Sequence, residues 1–124
     1  MGYTAIILNE ESHKALLNAF VVPADWEVKA HHMTINMGSP ESGPASHLIG
    51  QIAPLKAVAF AGNDKVLAVK VESQVPTVNA TAHVTIAINK AAGAKAVMSN
   101  EFTAADYKAI APIELVGLVS FIEK

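Results

Sequence analysis

Ala30-His31-His32-Met33-Thr34-Ile35-Asn36-Met37 and Ala82-His83-Val84-Thr85-Ile86-Ala87-Ile88-Asn89 write one pattern twice, His-x-Thr followed by an apolar residue, 51 positions apart. Both runs have strand character, being rich in β-branched and apolar residues. Along a strand, residues i and i+2 share a face. Each copy therefore projects an imidazole and a hydroxyl side by side, His32 with Thr34 and His83 with Thr85. Met33, Ile35 and Met37, or Val84, Ile86 and Ile88, occupy the opposite face. A fold that brings the two strands together makes a cleft holding two histidines and two threonines. That is the inventory for metal-free acid–base chemistry on a phosphate.

Working outward, Tyr3 to Leu8 reads as a strand, and Asn9 as the cap of a helix through Ser12, His13, Ala15, Leu16, Leu17 and Phe20, ended by Pro23. Glu10 and Glu11 fall in its first turn, where the helix dipole favours acids. The first motif strand is expected over roughly Trp26 to Met37. A breaker-rich loop, Gly38-Ser39-Pro40-Glu41-Ser42-Gly43-Pro44, follows it, and then a short helix near Ala45 to Ile52. Leu55 to Ala61 and Val66 to Val71 flank the turn signal Gly62-Asn63-Asp64. After the second motif strand come a loop with Gly93 and Ser99-Asn100, and a helical turn capped by Thr103 through Asp106 and Tyr107. A buried strand is expected over Ile113 to Ile122. A strand–helix–strand arrangement recurring around the motif predicts one pseudo-symmetric α+β domain over residues 1–124, mainly of antiparallel sheet.

Composition narrows the function. Hydrophobic residues make up 52% of the 124 and charged residues only 16%, which favours a packed globule over disorder. The longest apolar stretches, such as Leu115 to Ile122, fall well short of the ~20 residues of a membrane helix. No basic segment followed by an apolar run opens the chain, and Ile6 stands where an acylation motif beginning Met1-Gly2 needs Ser or Thr. Cysteine is absent, which excludes thiolate chemistry and disulfides. A cytosolic protein without membrane attachment is expected. All nine basic residues are lysines and the formal net charge is −2. Gripping a long duplex requires a basic face, so a phosphate ligand is expected to be a nucleotide or a single-stranded end.

A single His-x-Thr on a strand is commonly a hydrogen-bonded structural pair; two in matching register point to function. Of the other histidines, His13 is expected on an exposed helix face and His47 near a short surface helix. His31 should point away from His32, because neighbours on a strand face opposite sides. A zinc site from His31, His32, His47 and His83 has no recognised ligand spacing, so neither metal nor cofactor is expected. Trp26 reads as a core or lid residue, and Phe102 and Tyr107 as core packing, with base stacking as the functional alternative for each. Lys90 and Lys95 are candidate phosphate partners against a default of solvated lysines. Ser99 and Asn100 are possible substrate-binding donors, with ordinary turn chemistry the competing explanation.

The paired motifs resemble those of the two-histidine (2H) phosphoesterase superfamily, which includes RNA cyclic phosphodiesterases and 2′-5′ RNA ligase-like proteins. More of the chain is similar to the phosphodiesterase domains of fungal-type tRNA ligases and RNA-repair proteins. The likeness runs through Tyr3-Thr4-Ala5-Ile6-Ile7-Leu8, His31-His32-Met33-Thr34-Ile35 with Gly38, His83-Val84-Thr85-Ile86, Ser99-Asn100, and Pro112-Ile113-Glu114-Leu115 with Gly117. Only the two tetrapeptides are diagnostic. The resemblance implies two lobes, each centred on an antiparallel sheet, facing across a central cleft. It implies that His32 and His83 are catalytic and that Thr34 and Thr85 bind phosphate oxygens. The chain departs from the pattern in its short length and in lacking arginine.

The activity so implied is metal-independent hydrolysis of a 2′,3′-cyclic phosphate on a nucleotide or RNA end, leaving a 2′-phosphate, with His83 as base and His32 as acid. An imidazole titrates at about 6.5 in ordinary surroundings, so one neutral and one charged ring coexist near neutral pH. Competing readings are a phosphodiesterase for 2′-5′ oligonucleotides or ADP-ribose cyclic phosphate, and a non-catalytic nucleotide or RNA-end binding module. Oligomeric state is not encoded in any of these features.

Overall fold

Alternation of large apolar residues along the strands decides the architecture, since each strand has one face that must be buried. The computed structural model describes residues 2–38, 41, 43–79 and 81–123, with the side chains of 96 and 97 also outside the description. Seven strands are described: β1 (Gly2–Leu8), β2 (Glu27–Val28), β3 (His32–Met37), β4 (Ile52–Gly62), β5 (Val66–Glu72), β6 (His83–Ile88) and β7 (Lys108–Glu123). All the pairings are antiparallel, in the order β6-β3-β1-β7-β4-β5, and β5 returns to pair with β6. Six strands thus close a barrel. β2 lies end to end with β3 along β6, as the first segment of one bent strand.

Side chains fill the barrel, as the small circumference requires. Ile6, Met33, Ile35, Val84 and Ile86 are fully buried and belong to one cluster with Leu55, Val69, Val71, Leu115 and Val119. Between β1 and β2 stands α1 (Glu10–Ala19), the only α-helix among the described residues. Asn9 caps it as expected, its side chain accepting from the Ser12 amide at 2.9 Å. Leu16 is fully buried in the main cluster, and the Ser12 hydroxyl accepts from the Val116 amide at 2.7 Å, which ties the helix to β7. Ser12 and Leu16 are one helical turn apart, so one stripe of the helix makes both attachments.

The expected α+β fold of two pseudo-symmetric lobes is therefore overturned. The two motif strands are neighbours in one closed sheet and not the centres of two sheets facing each other. Among the described residues the second half supplies no α-helix to mirror α1. The helix expected over 45–52 is a single 3-10 turn at Ser46–Leu48, and β4 already begins at Ile52, since Gly43 and Gly50 confine the segment. The residues around Ser99 form 3-10 turns at Lys90–Ala92 and Ala96–Glu101. Of the loop expected over 38–44, residues 39, 40 and 42 lie outside the described residues, as does Met1.

Other boundaries follow the expectation. The Asn63 side chain accepts from the amides of Lys65 and Val66, at 2.8 and 3.0 Å, and closes the β4–β5 hairpin. β7 starts earlier than expected and is buried on one face only, with Leu115, Gly117 and Val119 inward and Val116 and Leu118 exposed. Pro112 is accommodated where the β4–β7 register shifts, between the Ala57–Ile113 and Ala59–Ala109 pairs.

Gly117 marks a close approach between β7 and β1. A Cβ there would lie 2.5 Å from Ile6 Cγ2 and 2.7 Å from the Ile7 carbonyl oxygen. Backbone cannot yield as a flexible side chain can, so Gly117→Ala is expected to destabilise the fold by about 1–3 kcal/mol. Urea unfolding of the variant against the parent measures this; an unchanged midpoint contradicts the packing described.

Candidate functional site

The Cα pairing of Met33 with Val84 is the one ladder pair between β3 and β6. Both side chains point into the barrel and are fully buried. Antiparallel register, extended one residue either way, sets His32 across from Thr85 and Thr34 across from His83. The two histidines are thus diagonal neighbours on the outer wall of the barrel. All four side chains line a single cleft of about 650 Å³, together with Ser99 and Asn100. The six expected site residues converge, but on a barrel's exterior rather than between lobes.

Fixed hydrogen bonds set the chemistry of these groups. Nδ1 of His83 donates to the Thr81 carbonyl oxygen at 2.8 Å, because a carbonyl can only accept. When His83 is neutral, its lone pair is therefore on Nε2, the form a general base needs. His83 is buried, with only 9% of its surface exposed. The hydroxyls of Thr85 and Ser99 are 2.8 Å apart, and Ser99 is almost wholly buried under its 3-10 turn. Thr34 is held through its backbone: its carbonyl oxygen accepts from Thr77 Oγ1 at 2.9 Å and from Asn79 Nδ2 at 3.4 Å. Thr77 also donates to the Ile35 carbonyl, as does the Val78 amide. Residues 77–79 thus occupy the side of β3 that β6, paired only at Met33, leaves open.

His31 departs most clearly from expectation. It lines the same cleft as His32, and the two Nδ1 atoms are 2.9 Å apart. The cause is a bulge. From the Val28–Ala87 pair to the Met33–Val84 pair, five residues advance on one strand against three on β6. Ala30 absorbs the excess with φ of +48°, in the left-handed region that residues with a Cβ seldom adopt. The period-2 rule does not carry through such a break, so His31 and His32 need not face apart. His13 was expected to be exposed on its helix, yet its Nδ1 donates to the Ala30 carbonyl at 2.9 Å. The Ala30 amide donates to the Thr85 carbonyl at the same distance.

Further lining residues carry no motif. Tyr3 stacks on His32, with ring centroids 5.1 Å apart, and Val28, Met37 and Asn79 complete the wall. Lys29 is at the rim, 3.0 Å from Glu27. No carboxylate lines the cleft among the described residues. Glu27 is held below the usual carboxylate range by its hydrogen bonds to Lys29 and then to Lys90. Lys90 is 3.2 Å from Glu27 and does not line the cleft, nor does Lys95. His47 is exposed on its 3-10 turn, and Trp26 packs against the main core. A smaller annex of about 230 Å³ shares Asn79, His83, Ser99 and Asn100 with the cleft and adds Phe102. Among the described residues, no group of three or more His, Asp or Glu side chains is arranged to hold a metal ion. No helix among them is long and apolar enough to cross a membrane.

Sequence reasoning missed His31, Tyr3 and the Thr77–Asn79 segment. The signal for His31 was its adjacency to His32; Tyr3 and Thr77 carried none, because only the register reveals them. Comparison of the chain with protein-family models, with curated proteins and with solved structures finds no match.

Phe102 also packs edge to face on Tyr107, with centroids 5.8 Å apart. Burial, and then the nearby Asp106 charge, push the Tyr107 phenol from 10.0 up to about 12. A raised pKa means the folded state prefers the neutral phenol. That contribution is complete below the unfolded value and is lost as pH rises through about 10 to about 12. Stability measured across that range is expected to fall more steeply in the parent than in Tyr107→Phe; identical slopes contradict the assignment.

Proposed function

We propose that this protein is a metal-independent 2′,3′-cyclic phosphodiesterase acting on nucleotides or single-stranded RNA ends in the cytosol. The observation that carries the reading is the register at Met33 and Val84, which sets two imidazoles and two hydroxyls on one wall of a cleft with no carboxylate among its described lining residues. Such a lining suits an anion. The function rests on that site and not on the fold, which differs from the two-lobed form the motifs led us to expect.

In the proposed reaction, Nε2 of His83 takes a proton from water, which attacks phosphorus. The bond from phosphorus to the 3′ oxygen breaks, its electron pair leaves with the oxygen, and His32 supplies the proton. The product is a 2′-phosphate with a free 3′ hydroxyl. Attack and departure on opposite sides of phosphorus require one histidine beside each oxygen, and in this proposal His83 is assigned to the attacking water and His32 to the leaving oxygen. Thr34 and Thr85 donate to the non-bridging oxygens as charge builds on them. The Thr85 and Ser99 hydroxyls are 2.8 Å apart, so one of them donates to the other; in the proposed reaction Ser99 takes the donor role and leaves the Thr85 hydrogen for the ligand. Two imidazoles supply acid and base, so no metal is needed. A net charge of −2 with no arginine gives little hold on an extended duplex.

Incubation with nucleoside 2′,3′-cyclic phosphates in the presence of EDTA is expected to give the 2′-phosphate alone, with a bell-shaped pH profile. Alanine at His32 or His83 should lower turnover by about 10²- to 10⁴-fold with the fold retained. A 3′-phosphate product contradicts the proposed orientation. Loss of activity on chelation, or an unchanged rate in His83→Ala, contradicts the mechanism. No product from any cyclic phosphate contradicts the enzymatic reading and leaves a binding module.

A further inference from the structure

His31 stands outside both His-x-Thr motifs, yet its ring meets that of His32 edge to face, at 85° and with Nδ1 atoms 2.9 Å apart. Two ring nitrogens at that distance share one hydrogen: one donates and the other offers a lone pair. The contact cannot survive with both rings charged. It is strongest with one charged donor and one neutral acceptor. Nor is it a by-product of strand geometry, since neighbours on a regular strand point apart. It requires the bulge at Ala30, which His13 and the Thr85 carbonyl hold from two sides.

We propose that His31 is a positioning residue that holds His32 in its acid form. The inference rests on His32 being the general acid of the reaction above. Charged His32 donates its Nδ1 hydrogen to the Nδ1 lone pair of His31 and directs its Nε2 hydrogen at the leaving 3′ oxygen. As the bond to phosphorus breaks, that oxygen keeps the electron pair and takes the Nε2 proton. His32 is left as the neutral Nδ1–H tautomer, still donating to His31, so no ring flip separates one turnover from the next. His83 then releases to solvent the proton it took from water, and solvent returns one to His32 Nε2, which resets both rings. Among the described residues, the other titratable groups at the cleft are Tyr3 from β1, Lys29 with its partner Glu27, and His83 from β6. His31 supplies a neutral acceptor 2.9 Å from His32 Nδ1.

Two substitutions at this exposed position test the proposal. His31→Phe keeps a ring but removes the acceptor; His31→Asn restores an acceptor oxygen. Losing the acceptor disfavours charged His32, so the alkaline limb of the kcat profile is expected to move acidward by about one pH unit in His31→Phe. The acidic limb, set by His83, should stay, and His31→Asn should recover part of the shift. A merely structural role would lower the whole profile and move neither limb. Imidazole NMR of the ligand-free protein provides a readout independent of activity: neutral His32 should be the Nδ1–H tautomer, and its titration should move acidward in His31→Phe. Hydrolysis with neither limb nor titration moved overturns the role of His31 and leaves the phosphodiesterase standing. A moved titration in a protein that opens no cyclic phosphate supports the pairing and overturns the function.

Discussion

The backbone pairing of Met33 with Val84 is the constraint on which the rest depends. Burying these two side chains contributes roughly 1.5–3 kcal/mol each, and because side chains alternate, it also decides what the other face presents. A slip of one residue would send His32 and Thr34 into the core, where a charged ring is costly. Hydrophobic burial thus enforces the arrangement of the polar residues. Closure adds a second constraint: β6 is held by β5 on its other edge, at Val69–Val84 and Lys70–His83, so its register cannot drift independently.

The barrel is least regular at that same seam. One ladder pair joins β3 and β6, a bulge precedes it, and residues 77–79 patch the edge that remains. A left-handed backbone at a residue with a Cβ costs on the order of 1–3 kcal/mol. At Ala30 the cost is offset by two anchors, the His13 side chain and the Thr85 carbonyl. The irregularity brings a third imidazole to the cleft. A regular strand would have placed His31 on the other face.

Much of this was legible in the sequence wherever the signal was local. Asn9 capping its helix, Asn63 closing its hairpin and the alternation over His32–Ile35 and His83–Ile86 are each decided within a few residues. Met37, expected beside Met33 and Ile35 on the buried face, is instead exposed and lines the cleft, because the β1–β3 register shifts at Ile35 and breaks the alternation there. That His32 and Thr34, and likewise His83 and Thr85, share an outward face was also readable, since each apolar face had to be buried; that the two pairs meet depends on β3 and β6 being neighbours. Closure into one barrel was not. It depends on β6 pairing with both β3 and β5, and the same alternation fits a strand in two small sheets as well as one in a closed ring. The bulge was equally hidden, because nothing in Lys29-Ala30-His31 marks a left-handed residue as glycine would. The contributions of Tyr3, Thr77 and Asn79 arise from contacts distant in sequence and leave no local pattern.

The central claim is that one outer wall of the barrel binds a phosphate between two histidines. Titrating a nucleoside 2′-monophosphate into the protein while following the imidazole and threonine NMR signals tests it most directly. The account predicts that His32, His83, Thr34 and Thr85 respond together along one binding curve, while exposed His47 does not move. A response confined to one motif, or none at millimolar ligand, contradicts it.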